Sequence, residues 1–471
     1  MTSHIITWPA PTGEIPSSDY ALTVNGEPVF VYQARVRAAT LDREGCLISH
    51  LPDPPGERGP FALFDIDGPV TVAVQSYRSF TSARVLPSRA GIAVECVGET
   101  IRFSLEKPQH LTVILDEGDD TPLHLFISAP ETDIPDPSDP SVIYFGPGTH
   151  EAHGLVIPSH TTVYLAGGAI LRAVLPPDAQ GEFNEKLRLT FHHGSVFTIN
   201  EAQHVCIRGR GIVDLSAMPH PGWTAIVVDH AEHVHLSGVT LRDSSNWNVI
   251  INHSHDITVD DLRIVSGRLN SDGINSVNAH HVWIRRCFVR NHDDSIVVKT
   301  IAPEEACCNI LVEDCVIWDD WGFPIGATYE TRARIHGITY RRCDILFTLH
   351  QYIGIRVNDS ATVCDITFSD IRIEQFSCAP HSPCLLGFSI VADENWGTDS
   401  DRGRIRDIVV EDVEVIGAIM PHSYLLGYSA EADIRGIFIR NVHLSGQAPA
   451  TDAATLNLYT NEFVREVTIT P

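Results

Sequence analysis

Long apolar runs are missing from this 471-residue chain, and no stretch approaches the length of a membrane span. Met1 to Pro9 has neither the basic start nor the apolar core of a secretory signal, so the expected location is cytoplasmic, with leaderless export left open. Basic residues are scarce, 33 Lys and Arg against 60 Asp and Glu, for a net charge of −27. That balance argues against nucleic acid and against an anionic membrane as partners. It weighs little against a polyanionic substrate, because a cleft can oppose the global sign. The eleven cysteines are odd in number and contain no CxxC, so they are expected to be reduced thiols. HExxH and Cys–His zinc spacings are absent, and no metal or cofactor is expected. Helical periodicity is lacking as well, which turns attention to strands.

What is present is ordinary globular material, 43% apolar and 20% charged, in a length that suits two domains or one long repetitive one. Residues 1–135 read as an all-β sandwich domain. Ala21 to Val24 and Val29 to Tyr32 flank Asn25-Gly26, a strong hairpin signal, and Phe61 to Phe64 and Val70 to Val74 flank Asp67-Gly68 in the same way. Period-two runs follow at Ile92/Val94, Ile101/Phe103/Leu105 and Leu111/Val113/Leu115. Four prolines between Pro130 and Pro140 mark a linker.

Residues 136–471 change character. Aliphatic pairs recur at Val205/Ile207, Val234/Leu236, Ile257/Val259, Val282/Ile284, Ile310/Val312, Ile338/Tyr340, Ile366/Phe368, Ile408/Val410 and Ile437/Ile439. The spacing is 23 to 29 residues, with one interval of 42. Strand alternation at such a period predicts stacked β coils, a parallel β-helix. A third inward position follows five residues after each first one: Val239, Leu262, Cys287, Cys315, Cys343, Ile371, Val413 and Val442. Its three cysteines are expected to be a buried ladder of small hydrophobes.

Each coil offers a second strand, at Trp247 to Ile251, Asp272 to Ser276, Asp294 to Val298, Phe323 to Gly326 and Ile353 to Val357. Equivalent residues on adjacent coils of a parallel solenoid stack at about 4.8 Å. Asp272, the Asp293-Asp294 pair, Trp321 and Arg356 are therefore expected to line one face. Hydrolysis of a glycosidic bond needs one carboxyl group to protonate the leaving oxygen and another to activate water. Clustered carboxylates also suit a cation site, which keeps calcium chemistry open here. An Asp-Asp pair alone says little, since Asp119-Asp120, Asp260-Asp261 and Asp319-Asp320 also occur, and solvated turns are their expected place.

Asn270-Ser271-Asp272-Gly273 followed by Asp293-Asp294 resembles the NTDG and DD motifs of glycoside hydrolase family 28, the polygalacturonases. Ser244 to Asn248, Tyr144 to Thr149 and Val163 to Ala169 resemble further segments of that family. The last two are also similar to family 49, the dextranases and isopullulanase, which carry an N-terminal β-sandwich. The likeness covers roughly residues 140 to 360. It implies a right-handed parallel β-helix acting as an inverting hydrolase without a metal, with a carbohydrate as substrate and the oligomeric state undefined. It implies Asp293 as general acid and Asp272 with Asp294 as the pair that activates water. Lys299 matches the lysine after DD.

Departures from family 28 point away from galacturonan. The Gly-His-Gly motif aligns with Asp320-Trp321-Gly322 and loses its histidine, while Arg-Ile-Lys aligns with Arg356-Val357-Asn358 and loses its lysine. A neutral glycan stacked on Trp321 is the expected substrate. Asn270, Trp247, Lys299, Trp321, Arg356, Tyr329 and Glu330 are the candidate substrate-binding residues, with His292, His350, Tyr352 and Trp396 as weaker candidates. Asn248, Asn275 and Asn278 are expected to cap turn carbonyls, and the histidine clusters to lie at coil corners. The rival readings are a polygalacturonase or rhamnogalacturonan-type pectin hydrolase, a polysaccharide lyase or epimerase on the same scaffold, and a non-catalytic glycan-binding solenoid.

Overall fold

The computed structural model describes residues 4–38, 56–116, 121–184, 189–374 and 383–471. Asp119-Asp120, Cys46 and Cys378 lie outside the described residues. The nine described cysteines are all free thiols.

The N-terminal unit packs a six-stranded sheet on a five-stranded one. Asn25 and Gly26 take left-handed conformations between Tyr20–Val24 and Glu27–Val29, which pair antiparallel as the Asn-Gly turn dictates. The Asp67-Gly68 expectation is corrected. Gly56–Ile66 belongs to one sheet and Val70–Ser76 to the other, so this turn carries the chain between sheets. Phe64, Ile66, Val70 and Val72 all point into the shared core, and Asp67 Oδ1 accepts the His4 amide at 2.6 Å. Ile92 and Val94 are not in a strand either; the strand there is Glu95–Val97.

From Val142 onward the chain winds into a parallel β-helix with a 20-stranded and an 11-stranded sheet. A typical coil has three strands, such as His255–Asp260, Arg263–Val265 and Ile274–Val277. The aliphatic spacing is the inter-coil register itself: Val205, Val234, Ile257, Val282, Ile310, Ile338, Ile366, Ile408 and Ile437 pair in succession. Cys287, Cys315 and Cys343 are buried in the same core, as the pattern predicts. The bend after the first strand falls on a left-handed residue, Asp261, Arg286, Asp314, Arg342, Asp370, Asp412 and Asn441 in turn. Asp and Asn tolerate that conformation best, which explains their repetition at the corner.

The sandwich lies along the side of the solenoid. Tyr32, Phe61, Leu63, Leu86, Ile114 and Phe126 share an apolar cluster with Ile170, Ile212, Val265, Phe288, Val316 and Trp318. Polar contacts frame it, including Arg210 with Asp65 at 3.0 Å and Arg242 with Glu14 at 2.7 Å. Asp260-Asp261 and Asp319-Asp320 are not solvated turns. Asp260 and Asp261 pair with Arg286 and Arg263, and Asp319 and Asp320 are buried.

Candidate active site

The 11-stranded sheet pairs Val249, Ile274, Ile296, Ile325 and Ile353 on successive coils. The residue two places before each is therefore also in line: Trp247, Asp272, Asp294, Phe323 and Gln351. Backbone bonds carry this register into the loops, since Gly273 N donates to Asp294 O and Ser295 N to Phe323 O. The stacking brings Asp272, Asp293 and Asp294 together, with carboxylate oxygens all within 4.8 Å of one another.

The three carboxyl groups differ in surroundings. Asp294 accepts the Lys299 ammonium at 3.1 Å, the Thr328 hydroxyl at 2.6 Å and the Phe323 amide at 3.2 Å. Asp272 is buried; its Oδ2 accepts from Asn275 at 3.0 Å and its Oδ1 has no partner. Burial, with the Asp293 charge next, holds Asp272 well above the usual carboxylate range. Asp293 is the one of the three that is partly exposed, and among the described residues it takes only the Asp294 amide, at 2.9 Å. Burial and the neighbouring Asp294 charge push its pKa up to about 7. Lys299 is nearly buried between Asp294 and Glu330, 2.9 Å away. Burial opposes its charge, but Glu330, Asp294 and Asp272 outweigh it and raise its pKa well above the usual lysine value.

Residues not singled out from sequence hold this arrangement. Asp319 accepts the Trp321 amide at 2.8 Å, the Gly322 amide, and the Ser295 hydroxyl at 3.0 Å. Gly322 then lies so close to the Asp293–Asp294 peptide that a Cβ there would stand 2.3 Å from Asp293 C and 2.4 Å from Asp294 N. Asn291 Nδ2 donates to the Asp293 and Asp294 carbonyls. Phe323 stands where the second-strand pattern puts the neighbour of Asp294, whereas no sequence signal marks Thr328.

The other candidates are distributed unevenly. The Trp247 ring lies 5.3 Å from the Lys299 ammonium. Arg356 sits farther along the trough, donating to Tyr329 OH at 2.6 Å, with its guanidinium 5.1 Å from the Phe323 ring. Trp321 is partly buried, packed on the apolar cluster between sandwich and solenoid and 6.1 Å from His350. Asn270 is an exposed left-handed turn residue with no hydrogen bond among the described residues. Tyr352 is a core residue and does not shape the trough. His292 is buried, not an exposed turn residue. His350 faces Phe323 at 5.3 Å, and burial followed by Arg356 lowers its pKa to about 4. Asn248 and Asn278 do cap turn carbonyls, whereas Asn275 serves the Asp272 carboxylate. His160, His204 and His233 stack along a coil edge.

Fold and site define the class: a parallel β-helix with an acidic trough, the architecture of the family 28 and family 49 glycosidase clan. The chain belongs to glycosyl hydrolases family 28, whose model matches residues 217–461, more than half of its length. It is 24% identical over 178 residues to a polygalacturonase of Chamaecyparis obtusa, covering 34% of this chain and 33% of that protein. A polygalacturonase of Juniperus ashei is 22% identical over 193 residues, covering 38% and 36%. The chain thus spans about a third of the length of the curated relatives it matches. Among solved structures, Dex49A from Penicillium minioluteum superposes with a TM-score of 0.67 at 14% identity, covering 99% of both chains. The family 28 exopolygalacturonase of Yersinia enterocolitica gives 0.55 at 12% identity, covering 93% of this chain and 98% of that one. At these identities the structures speak for the fold alone.

Proposed function

We propose that the protein is an inverting glycoside hydrolase acting on a poly- or oligosaccharide. The observation that carries this is the cluster of Asp272, Asp293 and Asp294, one oxygen of each within 4.8 Å of the others, in which burial and the Asp294 charge push the pKa of the partly exposed Asp293 up to about 7. Asp293 donates that proton to the glycosidic oxygen as the bond to the anomeric carbon breaks. A water held between Asp272 and Asp294 forms the new bond to that carbon and passes its proton to Asp294, the carboxylate paired with Lys299. Asp294 is an acceptor in every contact it makes with Lys299, Thr328 and Phe323, which holds it in place for this role.

Standard inverting sites separate their carboxyl groups by about 6.5–9.5 Å and retaining sites by about 5–5.5 Å. The 4.8 Å here is between single oxygens and does not select one of the two, so inversion rests on the family likeness. Proton NMR of the first-formed product checks it; a retained anomer refutes it.

A neutral glycan is the substrate this reading favours. The Lys299 charge is already taken by Asp294 and Glu330, and His350 is neutral above a pH of about 4. The partly exposed rings of Trp247 and Tyr329 supply apolar surface for a sugar. One observation favours a uronate instead. Arg356 bonds only to the phenols of Tyr329 and Tyr424, with no carboxylate at ion-pair distance among the described residues. Reducing-end release across dextran, pullulan, fructan, arabinan, rhamnogalacturonan and polygalacturonate separates the two. Cleavage confined to the pectic polymers, lost in Arg356→Met, overturns the neutral reading.

A further inference from the structure

We propose that Trp396 and Tyr329 form an aromatic subsite for a sugar ring of the substrate, on the C-terminal side of the carboxylates. This rests on the hydrolase reading above and adds a second point of substrate contact to it. Trp396 is 49% exposed, on a loop between the strands Cys384–Ile390 and Arg404–Ile416. A single exposed tryptophan is unremarkable by itself. This one ends a row of rings that begins beside the carboxylates: the buried Phe323, whose amide donates to Asp294, has its ring 6.1 Å from Tyr329, and Tyr329 lies 6.4 Å from Trp396.

The loop is clamped without burying the indole. Asn358 Oδ1 accepts the Asp393 amide at 2.7 Å and its Nδ2 donates to the Asp393 carbonyl at 3.0 Å. Asp359 Oδ1 accepts the Thr398 and Asp399 amides at 2.7 and 2.9 Å, and Arg332 pairs with Asp399 at 3.0 Å. Asn358 and Asp359 are themselves buried and directly follow Gln351–Val357, the strand that carries Arg356. Gly397 matters here, because a Cβ would meet Asn358 Nδ2 at 2.8 Å. Tyr329 is also held, in a left-handed conformation (φ 52°) and by the Arg356 guanidinium on its hydroxyl. Polar anchors that fix an exposed ring add little to a core; they pre-organise a surface for a ligand.

The geometry selects the ligand class. A flat indole and a phenol meeting edge to face at 60° suit the apolar C–H face of a pyranose ring. The strand carrying Arg356 is two rungs beyond the one after Asp294, about 10 Å along the axis at inter-strand spacing. Trp396 follows the strand one rung further still, so the subsite is assigned to a sugar beyond the two joined by the reacting bond, one that only a longer substrate supplies.

The test is a chain-length series, from the disaccharide upward, of oligosaccharides of the panel polymer that the wild type cleaves. Trp396→Ala is expected to raise KM about tenfold for the longer members, with kcat and the short members unchanged. Trp396→Phe should restore most of the loss. An unchanged KM on long substrates, an equal loss at every length, or failure of phenylalanine to rescue overturns the subsite. Asp293→Asn run alongside keeps the two claims apart: if that variant still cleaves, it is the hydrolase reading that fails.

Discussion

The Lys299 ammonium stands 3.1 Å from the Asp294 carboxylate, and both side chains are only 4% exposed. This pair lies beneath the trough, where one basic residue offsets part of the charge of three crowded acids. Removing one partner of a buried pair leaves the other uncompensated, at a cost of about 3–5 kcal/mol. Lys299→Met should lower stability by about the smaller of those figures, because Glu330 reaches solvent. The same lysine lowers the Asp293 pKa, so the falling limb of the pH–rate profile should move upward in the variant. A limb that stays in place separates Lys299 from the acid.

Asp293 works as a general acid only while protonated, so kcat should fall as pH rises through about 7. Asp293→Asn should lower hydrolysis by roughly 10²–10⁴-fold, while binding to the polymer, measured by calorimetry, survives.

The same group makes a stability prediction of defined sign. Its pKa rises from 3.8 in the ordinary state to about 7 in the fold, so the native state holds the proton more tightly. That contribution is complete below about pH 4 and is lost as pH climbs through 7. Asp293→Asn should therefore melt above the wild type at pH 8, with the gap closing toward pH 4. A variant that is less stable at pH 8 contradicts the assignment.

Gly322→Ala tests positioning without touching a carboxylate. The added methyl must displace the Asp293–Asp294 peptide, which it would meet at 2.3 and 2.4 Å. Activity should drop by at least about 10²-fold, the scale of a misplaced catalytic group. Circular dichroism should show the solenoid intact.

Dialysis against a chelator should leave the rate unchanged, because the proposed proton transfers use only side chains. Loss of activity restored by calcium, together with an unsaturated product, would favour a lyase on this scaffold instead.

The solenoid was readable from spacing because each coil must place aliphatic residues on the same inward positions. A slip of one residue would turn every side chain from core to solvent. The Cys287, Cys315 and Cys343 ladder followed from the same rule. The Asp67-Gly68 turn was misread for a related reason: turn chemistry reports a reversal but not which sheet receives the next strand. Asp319 and Thr328 are not legible as partners of the aspartates, since nothing local ties them to the motifs, whereas Phe323 opens the second strand one coil after Asp294. Trp321 packs on the cluster beneath the sandwich, and no local pattern encodes that interdomain contact.

The amino-acid order by itself determined the repeat, the inward faces and the three carboxyl groups carried on neighbouring coils, because strand periodicity is a local property. Which carboxyl keeps its proton, which is held by Lys299, and which aromatic ring is left open to a sugar were decided only by tertiary packing. Burial and charge proximity are sums over residues distant in the chain, and only the stacked coils bring those residues within range.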